Sequence, residues 1–263
     1  MLKKINHVKI ETIKIPKIDN SKVLGAELFP HIYSNVYISA KKNSGKTTVI
    51  YNIIKKCCDK NSVVVVFCST YRNDASWIEI RKYLDDKKIP NLFYDSIKDN
   101  NTNNLSNLIN LMTTDVDDDE EEEEEEPESI LLFNEKEIRI KVRKPKKISQ
   151  KYLIIMDDIG AELKDPNISI LLKQNRHYKS KVIISSQYIN DIQPQCRRQI
   201  QTYLLFGGIN EQKLNEIYVN ADLNISFEKF VELYKLATSE KYSFFYCDSS
   251  GEYRQNFDKQ FIL

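Results

Sequence analysis

Asn35-Val36-Tyr37-Ile38-Ser39 is an apolar strand that runs into Ala40-Lys41-Lys42-Asn43-Ser44-Gly45-Lys46-Thr47-Thr48. Val49, Ile50, Ile53 and Ile54 then recur at helical spacing. Strand, small-residue loop, Gly-Lys-Thr and helix form the layout of a phosphate-binding P-loop. Few other features restrict a fold so strongly, because the loop must sit at the edge of a sheet and open a helix. Gly45 lets the backbone approach phosphates without a side chain in the way. The helix start offers free N–H groups and the positive end of its dipole. Residues 40–48 are the expected nucleotide-binding segment, with Lys46 on the β- and γ-phosphates and Thr47 on magnesium. The loop departs from the full pattern in one place, where Ala40 stands for the first glycine; alanine tolerates the turn if its φ stays negative.

A second apolar run, Tyr152-Leu153-Ile154-Ile155-Met156, ends in Asp157-Asp158. A buried parallel strand delivers its last residue to the carboxyl edge of the sheet, where phosphates bind. Asp157 is therefore expected in the magnesium shell, and Asp158 is expected to orient the attacking water. A third run, Val182-Ile183-Ile184-Ser185-Ser186, ends in Gln187, a candidate sensor of the γ-phosphate. The alternatives are a turn or helix cap for the two aspartates and an ordinary polar strand end for Gln187.

The remaining pattern alternates strands and helices. Strands are expected at 35–40, 63–68, 91–94, 152–156, 182–186 and 202–206, and helices at 75–87, 104–113, 167–175, 211–219 and 226–237. A hairpin is expected around Asp248-Ser249-Ser250-Gly251. This predicts an α/β fold, a mainly parallel sheet with helices on both faces. The 63–68 strand lies in sequence between the two motif strands, and the Gln187 strand follows directly. That order fits a RecA-like P-loop NTPase, with an additional strand between the motif strands, better than a nucleotide kinase or GTPase. No Asn-Lys-x-Asp motif or arginine-rich lid is present. The expected organisation is a lead-in over 1–34 and an ATPase core over 35–208. Residues 209–263 add helices and a hairpin to the same domain.

Charge is unevenly spread. Twelve of the 38 acidic side chains fall within residues 115–128, a run expected to be disordered. The other 26 face 39 basic ones, so the body is basic and suits a polyanion or a solvated lysine surface equally. Residues 115–147 read as a surface excursion with one acidic and one basic arm, including a hairpin around residues 134–136. No run approaches the apolar length of a membrane span, and Met1–Ile5 has no signal core. An odd count of five cysteines without Cys-x-x-Cys argues for reduced thiols and against zinc.

Together these residues carry a resemblance. Leu153–Gly160, Asn175-Arg176-His177, Ile183–Gln187, Pro194 and Arg198 occur in one order at close spacing. This block resembles the DNA-packaging ATPases of poxviruses, other nucleocytoplasmic large DNA viruses and virophages, within the FtsK–HerA superfamily. The similarity runs over about residues 35–208, apart from 115–147. It implies an ATPase that acts as a homo-oligomeric ring, hexameric or pentameric, and pumps double-stranded DNA into a capsid. It further implies capsid or inner-membrane proteins as partners, and the host cytoplasm, viral factory or virion as the place of action. Lys46 and Thr47 would then bind nucleotide and metal, Asp157 magnesium and Asp158 water, with Gln187 as sensor. In such rings a neighbouring subunit's arginine stabilises charge; Arg198 is the first candidate, with Arg197 and Arg176 as rivals. Lys144, Lys146, Lys147 and Arg72 are candidate DNA contacts. Two other readings stand beside this one: a P-loop NTPase acting on a small molecule, and a nucleotide-binding assembly scaffold.

Overall fold

The computed structural model describes residues 18–99, 102–117, 129–133, 136–140 and 147–263. β1 (Asn35–Ser39) leads through the glycine loop into α1 (Lys46–Cys57). β2 (Val63–Cys68), α2 (Ala75–Asp86) and β3 (Asn91–Tyr94) follow. A small hairpin of β4 (Lys98–Asp99) and β5 (Thr102–Asn103) precedes α3 (Asn104–Asp117). A second hairpin joins β6 (Ser129–Phe133) to β7 (Lys136–Ile140). β8 (Tyr152–Asp157), α4 (Pro166–Gln174), β9 (Ser180–Ser185), α5 (Pro194–Arg197) and β10 (Thr202–Phe206) rebuild the alternation. α6 (Glu211–Ala221), α7 (Phe227–Ala237), β11 (Phe244–Asp248), β12 (Tyr253–Gln255) and β13 (Lys259–Gln260) complete the described chain.

Nine strands form one sheet in the order β13-β12-β11-β10-β1-β9-β8-β2-β3. The six from β10 to β3 are parallel, and β11, β12 and β13 extend the β10 side antiparallel. Because side chains alternate across a strand, each central strand feeds two cores. Val65, Phe67, Ile154, Met156, Val182 and Ile184 pack on the face covered by α3, α4, α6 and α7. Val64, Val66, Leu153, Ile155 and Ile183 pack on the face covered by α1 and α2. Burial on both faces explains why these strands read as unbroken apolar runs.

The additional strand between the motif strands is not β2, which precedes β8 in sequence. β2 lies beyond β8, and β9 fills the gap between β1 and β8. Registers align their ends: Ile38 pairs with Ser185, Ser185 with Asp157, and Asp157 with Cys68. The carboxyl ends of β1, β9 and β8 therefore share one edge.

Two expectations shift at the excursion. α3 runs on to Asp117, so the acidic run begins inside a helix; its remainder, 118–128, lies outside the described residues. The expected hairpin is present, with 129–133 antiparallel to 136–140. Residues 1–17 of the expected lead-in fall outside the described residues. Val23 forms a parallel bridge with Ile148, so the lead-in meets the exit of the excursion. Gly25, at φ +75°, then presses against the end of α1: a Cβ there would lie 2.2 Å from Cys57 Sγ.

Candidate active site

The loop after β1 turns on two left-handed residues, Asn43 at φ 60° and Gly45 at φ 92°. Asparagine and glycine are the residues that adopt this conformation most readily. Gly45 is the N-cap of α1, and no side chain caps the first turn, so its N–H groups face the loop. Ala40 is absent from the positive-φ residues, and it is buried in the same core cluster as Ile50 and Ile53 of α1. The missing first glycine therefore costs no backbone strain. Lys41, Lys42 and Asn43 are exposed, while Ser44 and Thr47 are half-buried and Thr48 is exposed. The Ser44 hydroxyl is enclosed without a hydrogen-bond partner.

Lys46 reaches across β9 to the end of β8. Its Nζ lies 2.6 Å from Asp157 Oδ1 and 3.2 Å from Asp158 Oδ2. Burial alone would lower its pKa, but the two carboxylates outweigh that effect and hold it above the ordinary lysine value. Asp157 is buried as the last residue of β8, whereas Asp158 is exposed and left-handed at φ 53°. The second oxygen of Asp157 accepts a hydrogen bond from Trp77 Nε1 at 3.3 Å. Trp77 was not legible as a site residue. It sits on the buried face of α2 at helical spacing from Ile80 and Leu84, where a tryptophan reads as core.

Gln187 lies two residues beyond β9, on the same edge but exposed. It is Ser186 before it that bonds locally, accepting or donating to Tyr37 OH at 3.4 Å and donating to the Tyr188 carbonyl at 2.6 Å. The three arginines fall elsewhere. Arg198 is exposed at the end of α5, next to Gln199, whose carbonyl accepts from Asn35 Nδ2 at the start of β1. Arg176 is exposed just before β9 begins. Arg197 donates through Nε to the Ile192 carbonyl at 2.8 Å. Arg198 and Arg176 thus lie toward the amino edge of the sheet, the length of a strand from Lys46 of their own chain. Arg72 is engaged with Asp95 at 2.8 Å, Lys147 is exposed, and Lys144 and Lys146 lie outside the described residues.

A metal held by protein alone is not formed here: among the described residues no three His, Cys, Asp or Glu side chains cluster. The donors present suit magnesium, which binds through one or two carboxylates together with phosphate oxygens and water. Asp157 Oδ1 is enclosed with no hydrogen-bond donor beyond its ion pair to Lys46.

Residues 122–250 match the family of the poxvirus A32 protein. The resemblance to viral packaging ATPases holds. The matched segment contains Asp157, Asp158, Gln187 and Arg198, while the P-loop precedes it. The uncharacterized protein 075L of Invertebrate iridescent virus 6 is 34% identical over 83 residues, 31% of this chain. That match spans 32% of the relative's own length. Among solved structures, the genome packaging NTPase B204 of Sulfolobus turreted icosahedral virus 2 in complex with AMPPCP superposes with a TM-score of 0.53. It is 18% identical, covering 85% of this chain and 97% of that one. The DNA-packaging ATPase B204 of Sulfolobus Turreted Icosahedral Virus gives 0.51 at 18% identity, covering 84% and 95%. At such identities the likeness shows the fold, that of a P-loop NTPase.

Proposed function

We propose that this chain is an ATP-driven translocase that packages double-stranded DNA into a viral capsid, hydrolysing Mg-ATP at the subunit interfaces of a homo-oligomeric ring. One observation carries the reading: Lys46 at the start of α1, after β1, meets Asp157 and Asp158 at the end of β8, across the intervening β9. A half-buried cation neutralised by two carboxylates can exchange them for phosphate oxygens when nucleotide arrives. Residues 40–48 would wrap the phosphates with N–H groups. Thr47 and Asp157 would hold magnesium, which offsets phosphate charge when bound. Released from Lys46, Asp158 is free to orient water beside the γ-phosphate. Gln187, unbonded to either carboxylate and on the same edge, would sense that phosphate. The placement of Arg198 toward the amino edge supports a role on a neighbour's nucleotide, because it cannot reach its own. Residues 35–263 would act as one ATPase unit, since β11, β12 and β13 extend the sheet that holds the P-loop. Among the described residues no helix is long and apolar enough to cross a membrane. Work in the host cytoplasm, viral factory or virion, on capsid or inner-membrane partners, follows from the same reading.

The test is ATP turnover with magnesium, with and without duplex DNA. Lys46→Ala and Asp158→Asn should each lower turnover by about 10²–10³-fold, and duplex DNA should raise the wild-type rate. Wild-type turnover in Lys46→Ala would refute the enzyme reading. A rate indifferent to DNA at every salt concentration would refute translocation while leaving hydrolysis intact.

A further inference from the structure

The carboxylates stand on only one side of the P-loop. β9 and β8 flank β1 there, so the terminal phosphate of a bound nucleotide points toward Asp157 and Asp158. The sugar and base must leave on the other side, over β10 and β11. What stands there is a tyrosine. A Cβ on Gly45 would lie 3.4 Å from Tyr242 Cδ1 and 3.5 Å from its Cβ, so this side chain rests directly on the P-loop glycine. Gly207 and Gly208 after β10 let the same corner close up: Thr238 packs on the first, and the Lys41 ammonium on the second. Tyr234 OH pins that loop, donating to the Phe206 carbonyl and accepting from Ile209 N, both at 2.9 Å.

Tyr242 is also held in a costly conformation. It occupies the third place of a turn closed by Ser243 N to the Glu240 carbonyl at 3.3 Å, with φ 69°. Left-handed backbone is an outlier for a bulky residue, and turns use glycine or asparagine there. Yet the side chain gains no core burial in return, being 58% exposed. Strain kept at an exposed aromatic beside a candidate ligand site is characteristic of functional positions. Lys241 Nζ lies 4.7 Å from the ring centroid, adding positive charge at the same corner.

We propose that Tyr242 is the stacking platform for the purine base of the bound nucleoside triphosphate. The inference rests on the nucleotide reading of the P-loop and adds the group that holds the end of the ligand remote from the phosphates. A ring offers its π-face to any base, so it contributes affinity without choosing between adenine and guanine.

Binding of AMPPCP, GMPPCP and inorganic tripolyphosphate to wild type, Tyr242→Gly, Tyr242→Phe and Lys46→Ala tests this by calorimetry. Glycine suits φ 69°, so Tyr242→Gly should melt no lower than wild type. It should bind both nucleotides about tenfold more weakly and tripolyphosphate unchanged. Tyr242→Phe should match wild type, and Lys46→Ala should lose all three ligands. Wild-type nucleotide affinity in Tyr242→Gly would overturn the platform and leave the P-loop reading standing. An equal loss for tripolyphosphate would do the same, by assigning Tyr242 to the shape of the phosphate loop. Failure of wild type to bind any of the three would overturn both readings.

Discussion

Two lysines, one half-buried and one buried, show how differently one residue type is used. Lys46 is raised above its ordinary pKa by two carboxylates and stays charged at any physiological pH. Lys181 at the opposite edge has no carboxylate partner among the described residues. Its Nζ donates to the His31 carbonyl at 3.1 Å and to Ser34 Oγ at 3.0 Å, and it lies 4.3 Å from the Phe29 ring centroid. Burial brings its pKa down to about 8, with Cys57 and Cys58 nearby only partly opposing the shift. The folded state therefore gives up this proton earlier than the unfolded chain. Between about pH 8 and the ordinary lysine value of 10.5, the unfolded chain binds more protons, so this residue's contribution to stability rises with pH. Below pH 8 its cost is present in full. The thiols work the other way: burial pushes Cys57 up to about 11 and Cys58 further, so unfolding releases their protons first. The clean measurement is a difference. Lys181→Met minus wild type, from urea midpoints, should shrink by roughly 3 kcal/mol between pH 8 and 10.5. A constant difference would mean that Lys181 titrates normally in the fold.

At the scale of elements, the helices are placed by caps and close contacts as much as by their apolar faces. α2 begins at Asp74, whose carboxylate accepts from Ser76 N at 2.8 Å, and this fixes the turn that brings Trp77 to Asp157. Asp74→Ala should cost about 1 kcal/mol by thermal melting. α1 is fixed at both ends by glycine, through Gly45 at its start and Gly25 against its last turn. Gly25 demands left-handed backbone and has Cys57 Sγ and backbone where a methyl would go. Gly25→Ala should therefore destabilise by about 2–3 kcal/mol, with overpacking and strain combined. An unchanged melting temperature would show that the turn before β1 moves independently of α1. Element types were widely legible in the sequence: the predicted strand at 91–94 is β3 residue for residue, and that at 202–206 is β10. Element ends were less so. α3 outran its expectation by four residues to Asp117.

For the whole molecule, the proposed nucleotide site lies at the carboxyl edge of the sheet, while Arg198 and Arg176 lie toward the amino edge; in the ring proposed above, one subunit's arginine would face its neighbour's phosphates. Particle mass should thus rise from the monomer to a closed ring when AMPPCP and duplex DNA are added together. Arg198→Ala should abolish turnover while keeping nucleotide affinity and ring mass. A variant with wild-type turnover would move the trans role to Arg176 or Arg197. DNA stimulation should weaken steeply with salt, because phosphate contacts release counterions.

Sequence alone determined most of the strands and helices, though not β4, β5, α5 or β13, as well as where the Gly-Lys-Thr loop and the Asp-Asp pair sit and that both belong to one sheet edge. These follow from local facts: the apolar period of each segment and the backbone needs of glycine. Only the tertiary structure decided that β9, rather than β2, separates β1 from β8, because strand order depends on how distant helices share the two faces. Only it joined Trp77 to Asp157 across 80 residues and laid Tyr242 on Gly45. A core tryptophan and a turn tyrosine carry no pattern of their own; their chemistry comes from what the fold sets beside them.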